Sequence, residues 1–184
     1  MSATIITPET IPSGTYNIDP THSNVGFEVR HMGIATVRGT FRSFEGKVDA
    51  SGEAPVLEGS VQVDSIDTGE ENRDGHLKSP EFFDVERSPA ISFHSTATEA
   101  TADGHVKLSG EITIKGITKP IELTGTLGEG GLDPWGNERV GFEVSGLIDR
   151  TEFDLKFNQT LPNGALLLAN AVRLVVSVSA VKSS

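Results

Sequence analysis

Apolar residues alternate with polar residues along most of the chain. In residues 24–30, for example, Val25, Phe27 and Val29 occupy every second position, and polar residues or glycine fill the positions between them. The same period of two recurs in residues 37–41, 44–48, 57–63, 91–95, 106–114, 121–127 and 140–148. This period is typical of a strand with one face in the core and the other in water. The pattern therefore predicts a chain that is almost entirely β.

The alternation fails in three places, and each failure predicts a different feature. Near Ser65 the apolar parity shifts, which indicates a bulge or the end of a strand. Residues 72–83 lack the period of two, and we expect one or two helical turns there. Residues 166–181 are apolar on both parities, with Val175 and Val181 out of phase with the rest. Both faces of this last strand are therefore expected to be covered for much of its length.

Glycines inside the alternating runs decide between two architectures. About eight strands joined by glycine-rich turns fit either a β-sandwich or a closed barrel. Glycine weakens a strand but permits the sharp bending and close approach that barrel closure requires. The glycines at such internal positions are Gly26, Gly39, Gly46, Gly59, Gly110, Gly125, Gly141 and Gly146. We therefore predict an all-β fold: a flexible arm at residues 1–13, then a single closed antiparallel β-barrel of about eight strands over residues 14–182, with one or two short helical segments.

The charge and the lack of cysteine exclude several classes of function. The 184 residues include 26 acidic and 15 basic side chains, which gives a formal net charge of −11. Nucleic-acid binding needs a basic face, so the charge argues against a nucleic-acid partner and, more weakly, against an anionic membrane surface. A chain without cysteine has no disulfides, thiolate nucleophiles or cysteine-ligated metal sites.

The first residues and the lengths of the apolar runs bear on localisation. Ile5 and Ile6 form the longest apolar run near the beginning, and neither Lys nor Arg precedes them. A secretory signal needs about 7–15 apolar residues behind a positive charge, and a membrane-spanning helix needs about 18 or more. We therefore expect a cytoplasmic protein without stable insertion into a membrane.

Residues that carry catalytic chemistry are sparse. The five histidines share no spacing typical of a metal site, so no metal is expected. His22 lies between Thr21 and Ser23, but neighbours in a strand point to opposite faces, which weakens a hydroxyl–imidazole pair. The pairs Arg73-Asp74 and Asp149-Arg150 fit structural ion pairs better than contacts to a ligand. We therefore predict no catalytic residue.

Seven segments in chain order carry a specific resemblance to a known family. They include Tyr16-Asn17-Ile18-Asp19-Pro20-Thr21-His22-Ser23 near the beginning and Ile148-Asp149-Arg150-Thr151-Glu152-Phe153 near the end. The others are residues 37–46, 64–68, 73–84, 89–93 and 110–120. Through these segments the sequence resembles the YceI-like family over nearly its whole length. Two positions depart from the family pattern: Tyr16 stands where the family often has Trp, and Asp154 stands in place of a glycine.

The resemblance implies a lipocalin-like barrel that binds polyisoprenoids or related long-chain amphiphiles and uses no cofactor. The leading interpretation is a non-catalytic carrier or reservoir for such a lipid. An enzyme acting on an isoprenoid or lipid-like ligand is an alternative, with Asp149 or His22 as its acid–base group. A ligand-free barrel that mediates protein association is a third interpretation, and the sequence leaves a homodimer open.

The candidate binding residues lie on the apolar parity of the predicted strands and at polar positions suited to a headgroup. Composition alone favours a solid core at the apolar positions, and only the resemblance favours a ligand tube. The apolar candidates are Phe27, Phe41, Phe44, Val61, Val63, Phe93, Leu108, Ile112, Leu123, Phe142, Val144, Ile148, Leu174 and Val176. The polar candidates, which are expected to orient a headgroup, are His22, Arg73, Asp74, His76 and Arg150.

Overall fold

The thirteen strands of the described residues belong to one continuous sheet. The computed structural model describes residues 4–5, 11–100 and 104–183. The strands are β1 Thr4–Ile5, β2 Thr15–Ile18, β3 Asn24–His31, β4 Ala35–Phe41, β5 Phe44–Asp49, β6 Val56–Gln62, β7 Ile66–Asp67, β8 Ala90–Ala100, β9 His105–Ile114, β10 Ile117–Leu127, β11 Gly131–Leu132, β12 Glu138–Asp149 and β13 Leu168–Lys182. Helix α1 (Glu71–Lys78) and 3-10 turns at Pro20–His22, Val63–Ser65 and Arg150–Phe153 complete the regular structure of the described residues.

The predicted N-terminal arm lies mostly outside the described residues. Of residues 1–13, the structure describes 4–5 and 11–13. Strand β1 pairs with the end of β8, where Thr4 lies opposite Ala100. Ile11 is buried in the main apolar core. Both described parts of the arm therefore contact the barrel.

Strand β13 closes the sheet into a barrel. It pairs with β12 along one side, from Asp149 opposite Ala171 to Arg139 opposite Val181, and with β2 and β3 along the other. Strands β2 and β3 lie end to end along β13 and share one position of the barrel wall. Strands β5 and β4 share the next position in the same way, and β6 and β7 share the one after it. Strands β8, β9 and β10 complete the wall back to β12. The prediction of a closed antiparallel barrel with eight strand positions is therefore confirmed.

The barrel interior is solid at one end, where β12 begins and β13 finishes. Tyr16 and Ala180 are 0% exposed there, and Leu108 and Phe142 are buried in the same cluster. The Tyr16 hydroxyl donates a hydrogen bond to the Pro12 carbonyl oxygen at 2.6 Å, which satisfies the polar atom of this buried ring. We call this region the packed end.

Helix α1 and the 3-10 turn Arg150–Phe153 lie at the opposite end of the barrel, which we call the helical end. Helix α1 begins after Glu70, whose carboxylate accepts hydrogen bonds from the amides of the first helical turn. It stops at Lys78 because the next residue, Ser79, precedes Pro80, and the proline ring disfavours helical backbone in the residue before it. Helix α1 therefore lies in the first part of the 72–83 segment, where one or two helical turns were predicted.

Two strand features can be compared with their sequence patterns. The parity shift near Ser65 corresponds to the 3-10 turn Val63–Ser65, which separates β6 from β7, so the predicted strand end is confirmed. The predicted cover on both faces of β13 is wrong. On its outward parity, Val175 and Val181 are only half-buried and Arg173 is exposed, because no second layer of structure packs against this face in the part of the chain described.

Candidate ligand-binding cavity

A cavity of about 340 Å³ lies inside the barrel beneath α1. Its wall consists mainly of inward-facing strand residues, such as Phe27 on β3, Phe93 on β8 and Leu174 on β13. Successive strand residues point to opposite faces, so the alternation that forms the barrel wall also makes its inner surface apolar. Ligand pockets in proteins typically measure about 300–1,000 Å³, and this cavity is therefore large enough for a small-molecule ligand.

Most of the apolar residues proposed from the sequence border this cavity. Those at its wall are Phe27, Phe41, Phe44, Val61, Phe93, Ile112, Leu123, Val144, Ile148, Leu174 and Val176. Leu108 and Phe142 also face inward, but they belong to the packed end. Val63 lies on a 3-10 turn and packs with Phe41 in a second buried cluster. Parity identifies which face a residue occupies but not its height along the barrel axis, which explains Leu108 and Phe142. Val63 is an exception because it lies after the end of β6.

Two glycines allow aromatic rings to lie flat against the wall. A Cβ atom on Gly39 would collide with the ring of Phe27 on the neighbouring strand, and a Cβ on Gly110 would come within 2.7 Å of the ring of Phe93. These glycines therefore allow side chains of neighbouring residues to approach the backbone closely, in addition to permitting the strand to bend. A larger residue at either position would push the ring into the cavity.

Several wall residues were not among the sequence candidates. Some lie on the same inward parity as the candidates, and the period of two was sufficient to find them: Ile18, Val25, Val29, His31, Val37, Leu57, Ile91, Ile114, Ile121, Val172 and Val178. Others lie on α1 or in irregular segments at the helical end, where no alternation exists: Leu77, Phe82, Phe83, Leu155, Phe157 and Leu167. The second group depends on tertiary packing and carries no periodic signal.

Two of the polar candidates, Arg73 and His76, project from α1 to the cavity wall. Arg73 donates hydrogen bonds from Nε to the Thr68 hydroxyl at 2.7 Å and from Nη2 to the Thr68 carbonyl at 2.9 Å. The His76 ring pairs through Nε2 with the Glu81 carboxylate. It also meets the rings of Phe82 and Phe157 edge-on, at centroid distances of 4.9 and 4.8 Å. These contacts hold α1 over the cavity.

Arg150 is the third polar candidate at the wall, and it is only 4% exposed. Its Nε donates to the Ala169 carbonyl at 2.9 Å, and its Nη1 donates to the carbonyls of Leu155 at 2.5 Å and Phe157 at 2.9 Å. Burial lowers the pKa of this guanidinium, and the charge of Asp149 opposes the shift, but arginine remains protonated in proteins. Its Nη2 atom is buried and has no hydrogen-bond partner in the described structure.

The other polar candidates lie away from the cavity. His22 is 61% exposed and pairs through Nδ1 with Asp19 at 2.8 Å. Asp74 accepts hydrogen bonds from the amide and hydroxyl of Thr68, and it thereby positions the residue that binds Arg73. The structure therefore brings neither side chain to the cavity wall.

Asp149, the other acid–base candidate of the enzyme interpretation, caps the 3-10 turn that follows β12. Its Oδ1 accepts hydrogen bonds from the Thr151 amide at 2.9 Å and hydroxyl at 2.6 Å. The hydroxyl bond, followed by the amide bond, lowers the pKa of this exposed carboxyl. A general acid needs a raised pKa, so the environment of Asp149 shifts it in the opposite direction.

The described residues include neither a helix that could span a membrane nor a cluster of metal-binding side chains. No helix among them is long and apolar enough to cross a membrane. Their His, Asp and Glu side chains form no group of three or more that is arranged to hold a metal ion.

Comparisons with known proteins place the chain in a family. The family model of the YceI-like domain matches residues 16–180. Protein YceI of Salmonella arizonae is 31% identical over 187 residues, which cover 99% of this chain and 94% of that protein. The crystal structure of Burkholderia cenocepacia BcnA has a TM-score of 0.75 at 20% identity and covers 88% of this chain and 98% of its own. A polyisoprenoid binding domain from Saccharophagus degradans has a TM-score of 0.68 at 16% identity and covers 91% and 98%. The two structures share the fold, and the chain belongs to the YceI-like domain family.

Proposed function

We propose that this protein binds one long-chain polyisoprenoid or a similar amphiphilic lipid inside the barrel and stores or carries it without chemical change. The observation that supports the proposal most directly is the cavity of about 340 Å³ with an almost entirely apolar wall. If a space of that size inside a core stayed empty, the atoms of its wall would have no packing partners on that side. An apolar ligand would supply packing partners for these wall atoms, and ligand binding is therefore the simplest explanation for the cavity.

The family supports the same ligand class. The Saccharophagus degradans domain is described as polyisoprenoid binding, and it has the same fold as this chain. Its sequence identity is low, so the shared fold supports a barrel that holds a lipid and leaves the ligand of this protein as a proposal.

A carrier fits the polar groups of the site better than an enzyme does. The two acid–base candidates, His22 and Asp149, are bonded to other residues away from the cavity wall. His76 borders the cavity, but Glu81 and two phenyl rings hold its imidazole. Binding without catalysis therefore accounts for these contacts with fewer assumptions.

The proposal is tested by extracting freshly purified protein with organic solvent and identifying the lipids by mass spectrometry. Two tryptophan variants on β13 make a matched pair, since Leu174 borders the cavity and the adjacent Val175 lies on the outward parity. We expect wild type and Val175→Trp to yield a lipid, and Leu174→Trp to yield far less because the indole occupies ligand volume. A wild-type protein without lipid, even after incubation with a polyprenol, refutes the proposal, as does equal lipid in both variants.

A further inference from the structure

Two hairpins adjoin at the helical end of the barrel, beside the cavity. The first joins β3 to β4, and the second is the tight loop of residues 158–168 that leads into β13. The Met32 amide of the first donates a hydrogen bond to the Leu167 carbonyl of the second at 2.7 Å. His31 and Leu167, one from each hairpin, also line the cavity wall. We call residues 31–35 and 158–168 the rim, because the cavity wall continues into them.

The rim exposes large apolar side chains from both hairpins. They are Met32 and Ile34 on the first hairpin and Leu166 on the second. Single exposed apolar residues are common on protein surfaces, but these three lie on hairpins that are bonded to each other and that border an apolar cavity. An exposed apolar surface in such a position indicates a binding partner.

The backbone of the first hairpin makes the exposed methionine more unusual. The Ile34 amide donates to the His31 carbonyl at 3.0 Å and closes the turn. The two residues between them have positive φ, 56° at Met32 and 68° at Gly33. Asn, Asp and Gly are the usual residues in such turns, because other L-residues are strained there. Methionine favours neither the stability nor the solubility of this turn, so a partner for its side chain is the best explanation for it.

The rim carries no formal charge when His31 is neutral, although 22% of the residues of the chain are charged. Residues 157–172 contain no Asp, Glu, Lys or Arg and form the longest such stretch of the sequence, and residues 31–37 contain none either. Charged side chains are expensive to bring into the apolar part of a bilayer, whereas a protein partner is usually bound with a polar margin around the apolar centre. The uncharged rim therefore favours a lipid bilayer over a protein.

We propose that the rim docks onto the surface of a lipid bilayer, with Met32, Ile34 and Leu166 inserted at its apolar boundary, and that the ligand passes between bilayer and cavity at this contact. The passage of the ligand rests on the proposed function, because exposing a long lipid tail to water is costly and a direct contact avoids that step. Three inserted side chains give a shallow, reversible contact. Because the whole chain has a net charge of −11, neutral bilayers are favoured over anionic ones.

A matched pair of aspartate variants tests the docking. Delipidated protein is mixed with phosphatidylcholine vesicles, and the bound fraction is measured by flotation. Ile34 is 76% exposed on the rim, and Leu132 is 75% exposed on β11 at the packed end, so neither substitution disturbs the core. We expect wild type and Leu132→Asp to float with the vesicles, and Ile34→Asp to lose at least about ten-fold in vesicle affinity, because a carboxylate resists insertion.

Met32→Asn separates docking from folding. Asparagine tolerates a positive φ better than methionine does, so we expect a melting temperature no lower than that of wild type together with weaker binding to the vesicles. Unchanged vesicle affinity in this variant contradicts the insertion of Met32.

Tryptophan fluorescence identifies the end of the barrel that meets the bilayer. Trp135, the single tryptophan of the chain, is exposed in the turn between β11 and β12 at the packed end. Its emission is expected to stay unchanged when vesicles are added. In a Trp135→Phe background, Ile34→Trp places an indole on the rim, and its emission is expected to shift to shorter wavelength.

The supply of ligand separates this inference from the proposed function. Polyprenol is offered either in phosphatidylcholine vesicles or in detergent micelles, and we expect Ile34→Asp to take it up more slowly than wild type from the vesicles only. Wild type that does not bind vesicles, with or without self-association through the rim, overturns the docking and leaves lipid binding intact. Equal behaviour of Ile34→Asp and Leu132→Asp, or a spectral shift of Trp135 with none at position 34, also overturns it. Wild type that takes up no polyprenol from either source refutes the proposed function, while flotation still tests the docking.

Discussion

Asp154 occupies a backbone conformation that glycine adopts most easily. It ends the 3-10 turn Arg150–Phe153 with φ 61° and ψ 26°, in the left-handed region. The sequence identifies Asp154 as a departure from the glycine of the family pattern, but the energetic cost of that departure depends on φ, which only the structure provides. The Asp154 carboxylate lies 3.6 Å from both Lys115 Nζ and Lys156 Nζ. The pair with Lys156 is exposed on both sides, and such pairs stabilise proteins little, whereas the Lys115 side chain is only 12% exposed.

Replacing Asp154 by Gly and by Ala separates the backbone effect from the charge effect. Both variants lose the carboxylate, but only glycine relaxes the positive φ. We therefore expect Asp154→Gly to be more stable than Asp154→Ala by about 1 kcal/mol in urea denaturation. Equal stability of the two variants would show that the left-handed conformation of residue 154 carries no strain.

Arg139 on β12 joins three elements at the packed end of the barrel. Its Nη1 donates to Asp19, at the beginning of the 3-10 turn Pro20–His22, at 2.9 Å, and its Nε donates to Asp133, beyond β11, at 2.9 Å. Hydrogen bonds from His22 and then Arg139 lower the pKa of Asp19 from 3.8 to about 2. This network was not predictable from the sequence, because Asp19 and Arg139 are 120 positions apart in the chain.

The network predicts a pH dependence of stability. The pKa of Asp19 is lower in the folded protein, so its contribution is fully present above the unfolded value near 3.8 and is lost as the pH falls toward 2. We expect the midpoint of urea unfolding to decrease over this window in wild type, and to decrease less steeply in Asp19→Asn. Parallel pH profiles of the two proteins would contradict the linkage.

At the scale of elements, the sequence predicts the strands of the barrel wall better than the segments that close the helical end. Strict alternation located the long strands and the side that faces inward, because a buried face imposes a period of two. It failed on β13, where apolar residues such as Val175 and Val181 lie half-buried on the outer face, as apolar residues commonly do on protein surfaces. It also missed Phe82 and Phe157, which cover the cavity from segments without any period.

The whole molecule divides into a packed end and a hollow region beneath α1. Inward parity is the same in both parts, so Phe93 and Phe142 were indistinguishable in the sequence. Phe142 belongs to the main apolar cluster and Phe93 packs against it, but only Phe93 borders the cavity. The fold and the inward face were therefore predictable, whereas the position of the cavity along the axis was not.

This division predicts different costs for the same substitution at the two sites. Phe142→Ala creates a new void in the packed end and is expected to cost about 3–5 kcal/mol. Phe93→Ala enlarges a space that exists already, so its cost to the lipid-free protein is expected to be smaller. Urea denaturation of both delipidated variants measures the difference, and an equally large loss at Phe93 would indicate a solid core at both positions.

The measurement that tests the central claim most directly is native mass spectrometry of the intact, freshly purified protein. We predict a population whose mass exceeds that of the chain by one long-chain lipid per barrel, which disappears in Leu174→Trp and persists in Val175→Trp. A wild-type spectrum with only the mass of the bare chain, both as isolated and after incubation with polyprenols and their phosphates, would contradict a lipid-binding barrel.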